Sequence, residues 1–94
     1  MFKVFVEYAI NVTERENYIK YMQQWQEREG RLEWLEGTDQ PELFVEIWND
    51  MNYEEYISFK EQRLTGHAET DANWDEWIRG GLVKLHIWHF TKVG

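Results

Sequence analysis

The chain has 94 residues, no cysteine and a formal net charge of −8, from 18 acidic and 10 basic residues. This length predicts a single domain over residues 1–94, which buries only about 60–65% of the surface that the unfolded chain exposes. The negative charge repels phosphate groups and so disfavours binding to nucleic acid or to an anionic membrane. The lack of cysteine excludes disulfides, thiolate nucleophiles and cysteine-held metals.

Two further features of the composition bear on the core and on the compartment. Six Trp, five Tyr and five Phe predict an aromatic core, because each buried ring removes roughly 150–250 Å² from water. Met1 leads directly into a strand pattern without a basic and apolar leader. No stretch approaches the ~18 apolar residues that span a bilayer. We therefore expect a cytoplasmic protein that binds no membrane.

The first strand and the first helix are predicted from different signals. Every even position from Phe2 to Ile10 is apolar, which is the pattern of a strand. Thr13 and Glu16 fit a capping box that would open a helix over about 14–29. Gly30 then suits a left-handed helix stop.

The remaining elements follow from turn residues and helix caps. The only proline lies in the turn 37–41, between two runs of strand-like composition. Asn52 and Asn73 each precede a glutamate by three residues, as a capping residue does. The further predicted elements are strands over 31–36 and 43–48, a helix over 53–66, a loop over 67–72, a short helix over 74–79 and a strand over 83–90.

Alternation along the last two strands predicts a sheet with two apolar but chemically different faces. In each strand a purely aliphatic series alternates with a mixed series that holds aromatic and ionisable residues. The aliphatic series are Leu43, Val45, Ile47 and Val83, Leu85, Ile87; the mixed series are Phe44, Glu46, Trp48 and Lys84, His86, Trp88, Phe90.

Two β-α-β units in this order predict an α+β domain of the ferredoxin-like type, β-α-β-β-α-β. Its four-stranded antiparallel sheet would carry both main helices on one face. A second face in contact with solvent should carry mainly polar residues, and neither face of this sheet does. A second copy of the chain is the simplest cover, and it would also hide the exposed sheet edges. We therefore expect a homodimer through the sheet face.

The segment 43–50, Leu-Phe-Val-Glu-Ile-Trp-Asn-Asp, followed by Tyr-Glu-Glu-Tyr at 53–56, resembles the strand-Trp-turn-helix segment of the dimeric α+β barrel superfamily. That group includes antibiotic-biosynthesis-type monooxygenases and haem-degrading monooxygenases. The resemblance covers essentially the whole chain. It implies that two sheets pack face to face into a barrel and that a ligand lies between each subunit's helices and its sheet.

Haem-degrading members of that superfamily use an Asn on the first strand, a Trp on the third strand and a His on the following helix. Trp48 matches the Trp, whereas Tyr8 stands at or near the Asn position. The helix after Trp48 holds no His before His67, just beyond its end. The resemblance therefore argues against haem degradation and leaves haem binding through His67 as a hypothesis; no other cofactor is expected.

The two histidines of the last strand do not predict a metal site. His86 and His89 are three residues apart, so a regular strand directs them to opposite faces. Glu46 and His86 belong to the two mixed series and would be near neighbours if these series share a face, which would favour a protonated His86. Tyr8, His86 and Glu46 are the candidate catalytic residues. The alternative is a polar contact within the dimer interface.

The candidate ligand-binding residues are Tyr8, Trp48, His67 and Trp88. Trp48 and Trp88, with Phe44 and Phe90, could wall an aromatic pocket, although core packing would explain the same residues. Three functions are compatible with the sequence. One is a homodimeric module that binds a small apolar or aromatic molecule between helices and sheet. The second is a cofactor-independent monooxygenase with Tyr8, Trp48 and His86 or His67 in its pocket. A haem-binding protein is the third.

Overall fold

The computed structural model describes residues 1–65 and 72–94. The order of strands and main helices agrees with the order predicted from the sequence. The elements are β1 (Phe2–Ala9), a 3₁₀ turn (Val12–Glu14), α1 (Arg15–Arg28), β2 (Leu32–Glu36), β3 (Leu43–Asn49), α2 (Tyr53–Thr65), α3 (Trp74–Trp77), a second 3₁₀ turn (Leu82–Lys84) and β4 (His86–Thr91). The predicted loop over 67–72 and the end of the predicted helix at 66 lie outside the described residues, except for Ala72.

The four strands form one antiparallel sheet in the order β2-β3-β1-β4. This order is compatible with the predicted ferredoxin-like arrangement, because the first strand lies in the middle and pairs with the third and the fourth. The core lies between one face of this sheet and the helices. Its fully buried members include Val4, Val6, Tyr8, Tyr18, Met22, Phe44, Trp48, Met51 and Trp74.

The helix caps agree with the sequence only in part. At α2 the Asn52 side chain accepts a hydrogen bond from the Glu55 backbone N–H at 2.8 Å, as predicted. The capping box at Thr13 is not formed: α1 begins at Arg15, and no side chain caps it. The reason is that Thr13 lies inside a 3₁₀ turn, whereas a capping residue needs extended backbone. Gly30 also lacks the predicted left-handed conformation.

The last strand begins at His86, three residues later than predicted. Gly80 and Gly81 both have a positive φ, 86° and 84°, and the chain then passes through the 3₁₀ turn Leu82–Lys84 before it becomes extended. Val83 is consequently 84% exposed. The predicted aliphatic series of this strand is therefore reduced to Leu85 and Ile87, which are buried.

The alternations of β3 and β4 are out of step with each other. Val6 of β1 lies opposite Glu46 of β3 and opposite Ile87 of β4. Residues at the same register position share a face of the sheet, so the mixed series of β3 faces the helices together with the aliphatic residues of β4. The expectation that both mixed series share one face is wrong, because pairing register cannot be read from either strand alone.

The second face of the sheet, here called the open face, carries exposed apolar side chains. Trp88, Phe90 and Leu35 are 43%, 51% and 51% exposed. Phe5, Val45 and Ile47 lie half-buried on the same face. An apolar surface of this kind is typical of a contact region rather than of a solvated sheet.

Candidate functional site

A buried ion pair joins the sheet to the second helix. Glu46, in the middle of β3, is 0% exposed, and Arg63, in the last turns of α2, is 6% exposed. The two guanidinium nitrogens Nη1 and Nη2 each donate to one carboxylate oxygen at 2.8 Å. This two-pronged geometry is the strongest that an arginine and a carboxylate can form, and it offsets part of the cost of removing both charges from water.

Two further donors complete the hydrogen bonding of Glu46. The Tyr8 hydroxyl donates to Oε2 at 2.5 Å, and the Trp48 indole N–H donates to Oε1 at 2.9 Å. The carboxylate therefore accepts four hydrogen bonds from three side chains on three elements. A buried carboxylate with this many donors is held as the charged form.

The hydrogen bonds continue from Tyr8 to the edge of the sheet. The Tyr8 and Tyr18 hydroxyls lie 2.7 Å apart, and the Trp34 indole N–H donates to the Tyr18 hydroxyl at 2.8 Å. Because the Tyr8 hydrogen is given to Glu46, Tyr8 must accept from Tyr18. We call this set of six residues the Glu46 network: Tyr8, Tyr18, Trp34, Glu46, Trp48 and Arg63.

The pKa values in the network are shifted in directions that keep it in one protonation state. Burial and the nearby Glu46 carboxylate raise the pKa of Tyr8 well above its ordinary value. Burial would raise the pKa of Glu46, but the Arg63 guanidinium and the hydrogen bonds lower it below the ordinary range. At neutral pH the carboxylate is charged and the phenol is protonated. Tyr8 is therefore not available as a general base, and its hydroxyl points to Glu46 rather than into a cavity.

Aromatic rings surround the outer side of Arg63. Its guanidinium carbon lies 4.6 Å from the Trp74 ring centre, 5.2 Å from that of Trp25 and 5.3 Å from that of Phe59. Such contacts attract a cation to the ring faces. Arg63 Nε and Trp74 Nε1 are buried donors with no hydrogen-bond partner within residues 1–65 and 72–94.

An open groove of about 250 Å³ lies between α1, α2 and the end of β3. Its floor is formed by Trp25, Trp48, Met51 and Phe59; the ring centres of Trp25 and Phe59 each lie 5.0 Å from that of Trp48. The rim is polar. We call it the aromatic groove, and its lining residues are Trp25, Glu29, Arg31, Trp48, Met51, Glu55, Ser58, Phe59 and Gln62.

The charges on the rim of the aromatic groove are paired with one another. Arg31 contacts the Glu55 carboxylate at 2.9 Å and the Glu29 carboxylate at 3.3 Å. Ser58 and Gln62, both exposed on α2, add neutral hydrogen-bonding groups. The groove thus offers an apolar floor and uncharged polar contacts at its edge.

The structure separates residues that the sequence analysis grouped together. Glu46 faces the helices, whereas His86 lies opposite Glu7 on the open face. The predicted proximity of Glu46 and His86 is therefore wrong, and the cause is the register described above. Trp48 and Trp88 are on opposite faces for the same reason, so they do not share one pocket wall within one chain.

The histidines of the last strand face opposite sides, as predicted. His86 is exposed and stacks on Trp88 at 5.7 Å between ring centres. His89 lies on the helix side, with Nε2 2.9 Å from the Met51 carbonyl oxygen. No group of three His, Asp or Glu side chains in residues 1–65 and 72–94 is placed to hold a metal ion. His67, the predicted haem ligand, lies outside the described residues.

Arg63 is the central residue that the sequence analysis did not single out. A signal was present: Glu46 alternates with Phe44 and Trp48, so it shares their buried side, and a buried carboxylate needs a cation. Arg63 falls seven residues after Tyr56 and four after Phe59, which places it on the apolar side of α2. The pairing could have been predicted from these two positions together.

Comparisons with protein families, with curated proteins and with solved structures found no match to this chain. No helix among the described residues is long and apolar enough to cross a membrane.

Proposed function

We propose that this protein is a homodimeric binding module that takes a small apolar or aromatic molecule into the aromatic groove. The observation that carries the proposal is the groove itself, an opening between the helices and the sheet with three aromatic rings at its floor. Trp48, a residue singled out from the sequence, lies at its centre. The resemblance to the dimeric α+β barrel superfamily, which was an expectation from the sequence, implies a ligand in the same region and supports the proposal.

The shape and chemistry of the groove favour a small ligand with one polar group. Its volume of about 250 Å³ is below the ~300–1,000 Å³ typical of pockets for drug-sized molecules. The rings of Trp25 and Phe59 would contact an apolar body, and Ser58 or Gln62 would bond a hydroxyl or carbonyl at the rim. A single aromatic ring with one hydroxyl fits this description.

The Glu46 network supports binding because it fixes the floor of the groove. Trp48 is held by its hydrogen bond to Glu46, and Arg63 packs against the rings of Trp25 and Phe59. A floor whose side chains are already ordered loses less conformational entropy when a ligand binds. We infer that the network positions the site and does not itself react.

Binding agrees better with the geometry than oxygenation or haem binding. The monooxygenase hypothesis uses Tyr8 and Trp48, whose polar groups are bonded to Glu46. It also uses His86, which lies on the other face, or His67, which lies outside the described residues. A haem is larger than the molecules that a groove of about 250 Å³ accepts. Binding is therefore the function that we propose.

The proposal is tested by titrating the protein with phenol and following the indole N–H resonances of Trp25 and Trp48 by NMR. We expect saturable shifts of these two resonances. Ser58→Trp places a large ring at the rim from an exposed helical position. It should weaken phenol binding by about tenfold or more, which is about 1.4 kcal/mol, because the ring occupies the space that the ligand needs.

The matched control is Glu61→Trp, which adds the same side chain to an exposed position of α2 outside the groove. It should bind phenol as the unchanged protein does. Shifts that never saturate, or equal affinity in Ser58→Trp and Glu61→Trp, would contradict a ligand site in the aromatic groove.

A further inference from the structure

A second groove, of about 420 Å³, lies at one end of the open face and contains unpaired cationic side chains. It is formed where the end of β1 and the start of β3 meet the segment that leads into β4. We call it the basic groove, and its lining residues are Glu7, Tyr8, Ala9, Leu43, Arg79, Gly80, Lys84 and His86. Tyr8 contributes only at its backbone side, since its ring is buried on the helix face.

The charge of the basic groove is opposite to that of the whole chain. Arg79 and Lys84 line the basic groove together with one carboxylate, Glu7, so two cations and one anion give a formal net charge of +1, counted without histidine. The chain as a whole carries −8. A positive site on a negative protein attracts small anions locally while the rest of the surface repels large polyanions.

Arg79 and Lys84 differ from the arginines that form ion pairs. Arg15, Arg31 and Arg63 are each paired with glutamates. Within residues 1–65 and 72–94, the side chains of Arg79 and Lys84 have no ion-pair partner, and both are exposed. Their donors are free to bind a ligand without first breaking a salt bridge.

The backbone holds the two cations beside the groove. The Arg79 N–H donates to the Ala9 carbonyl at 2.8 Å, which anchors the segment to the end of β1. Gly80 has φ 86°, and a Cβ at that position would lie 2.8 Å from Lys84 Cγ. The Lys84 stem therefore packs directly on the Gly80 backbone, a close approach that only glycine allows.

We propose that the basic groove binds a small organic carboxylate with an apolar body. The planar guanidinium of Arg79 matches the two oxygens of a carboxylate, and the Lys84 ammonium adds a second cationic contact. Ala9 and Leu43 provide apolar surface for the body of the ligand. His86 lies at the edge of the site, stacked on Trp88, so a ligand there changes the surroundings of both rings.

This site is distinct from the aromatic groove, because the two lie on opposite faces of the sheet. The aromatic groove includes Trp48, which shares the helix face with Val4, whereas Glu7 and His86 share the open face. The two proposals can therefore fail independently.

The test is a titration of the protein with benzoate. Binding is followed by NMR through the imidazole resonances of His86 and by fluorescence through the emission of Trp88. The variant Trp88→Phe identifies which part of the emission comes from Trp88. We expect saturable binding. Arg79→Gln and Lys84→Gln should each weaken it by about two- to fivefold, the range for exposed ion pairs. Lys92→Gln, which removes an exposed lysine at the other end of β4, should leave the affinity unchanged.

Two comparisons make the assignment specific. Acetate and inorganic phosphate should bind more weakly than benzoate, because they lack the apolar body; equal affinity for all three would overturn the assignment to an organic carboxylate. Ser58→Trp should leave benzoate binding intact, and its loss would place the carboxylate in the aromatic groove instead. Binding unaffected by Arg79→Gln and Lys84→Gln would likewise overturn the proposal.

Discussion

Glu46 is the residue whose environment says most about this protein. A carboxylate at the centre of a sheet is costly to bury unless it is paired and fully hydrogen-bonded, and four donors satisfy this one. The same bonds connect β1, β3 and α2. A polar contact of this kind can fix the position of a helix on a sheet more narrowly than apolar packing alone.

Arg63→Met tests the energetic role of the ion pair. The substitution leaves Glu46 buried without its cation, and we expect the free energy of unfolding to fall by about 3–5 kcal/mol at neutral pH. Chemical denaturation monitored by circular dichroism measures the change.

The pH dependence of that loss identifies its cause. In the unchanged protein the pKa of Glu46 is lowered, so its stabilisation is present above the unfolded pKa, about 4.3, and declines as pH falls below it. In Arg63→Met the guanidinium no longer opposes the effect of burial, and only the hydrogen bonds from Tyr8 and Trp48 still do. The pKa of Glu46 should therefore rise, and the variant should regain stability as pH falls. Glu46→Gln is the control: it has no carboxyl group to titrate at position 46, so, unlike Arg63→Met, the variant should not itself gain stability as pH falls. If the fall in the free energy of unfolding in Arg63→Met did not change with pH, this would contradict the explanation that the Glu46 carboxylate, left without its cation, causes it.

Of the helix caps predicted from local sequence signals, one formed in the folded chain and another did not. The cap at Asn52 was predicted correctly because it depends on four consecutive residues that nothing else disturbs. The capping box at Thr13 failed because the chain leaving β1 is held by the Ile10 N–H bond to Glu42 and the Asn11 N–H bond to Trp77. Long-range bonds therefore place that segment in a 3₁₀ turn.

Asn52→Ala and Asn73→Ala form a matched pair of variants at the level of the element. Asn52 caps α2 with its side chain, so its loss should lower the free energy of unfolding by about 1 kcal/mol. Asn73 precedes the four-residue helix α3 without a side-chain cap bond, so the same substitution should have little effect. Thermal unfolding of both variants measures the difference; equal losses would contradict the assigned capping role of Asn52.

For the whole molecule, the open face is the surface through which we propose that two copies meet. Four strands of five to eight residues, about 4.8 Å apart with about 3.3 Å per residue, give a projected area of about 400 Å². Corrugation by side chains increases the accessible area, which brings it toward the lower end of stable interfaces, about 600 Å² per partner. We propose that two open faces pack together around Phe5, Ile47 and Trp88, leaving the basic groove at one end of each face uncovered, in a dimer that dissociates on dilution.

Sedimentation across a range of concentrations tests the dimer. The mass should approach twice 11.6 kDa at high concentration. Trp88→Lys should sediment as a folded monomer, because Trp88 is 43% exposed and belongs to the open face. Ile57→Lys, at a 45% exposed position on α2, should still dimerise. A mass of one chain at every concentration, or a dimer that survives Trp88→Lys, would contradict packing through the open face.

The sequence by itself determined the order of elements, the α+β class and the aromatic core, because hydrophobic periodicity and caps are local properties of the chain. It also identified Trp48 and the opposite directions of His86 and His89. Only the tertiary structure decided that Glu46 pairs with Arg63 and not with His86. Which residues of β3 and β4 share a face depends on the register of each with β1, and a shift of one residue reverses every side chain. The same pairing determined that two separate grooves lie on opposite faces.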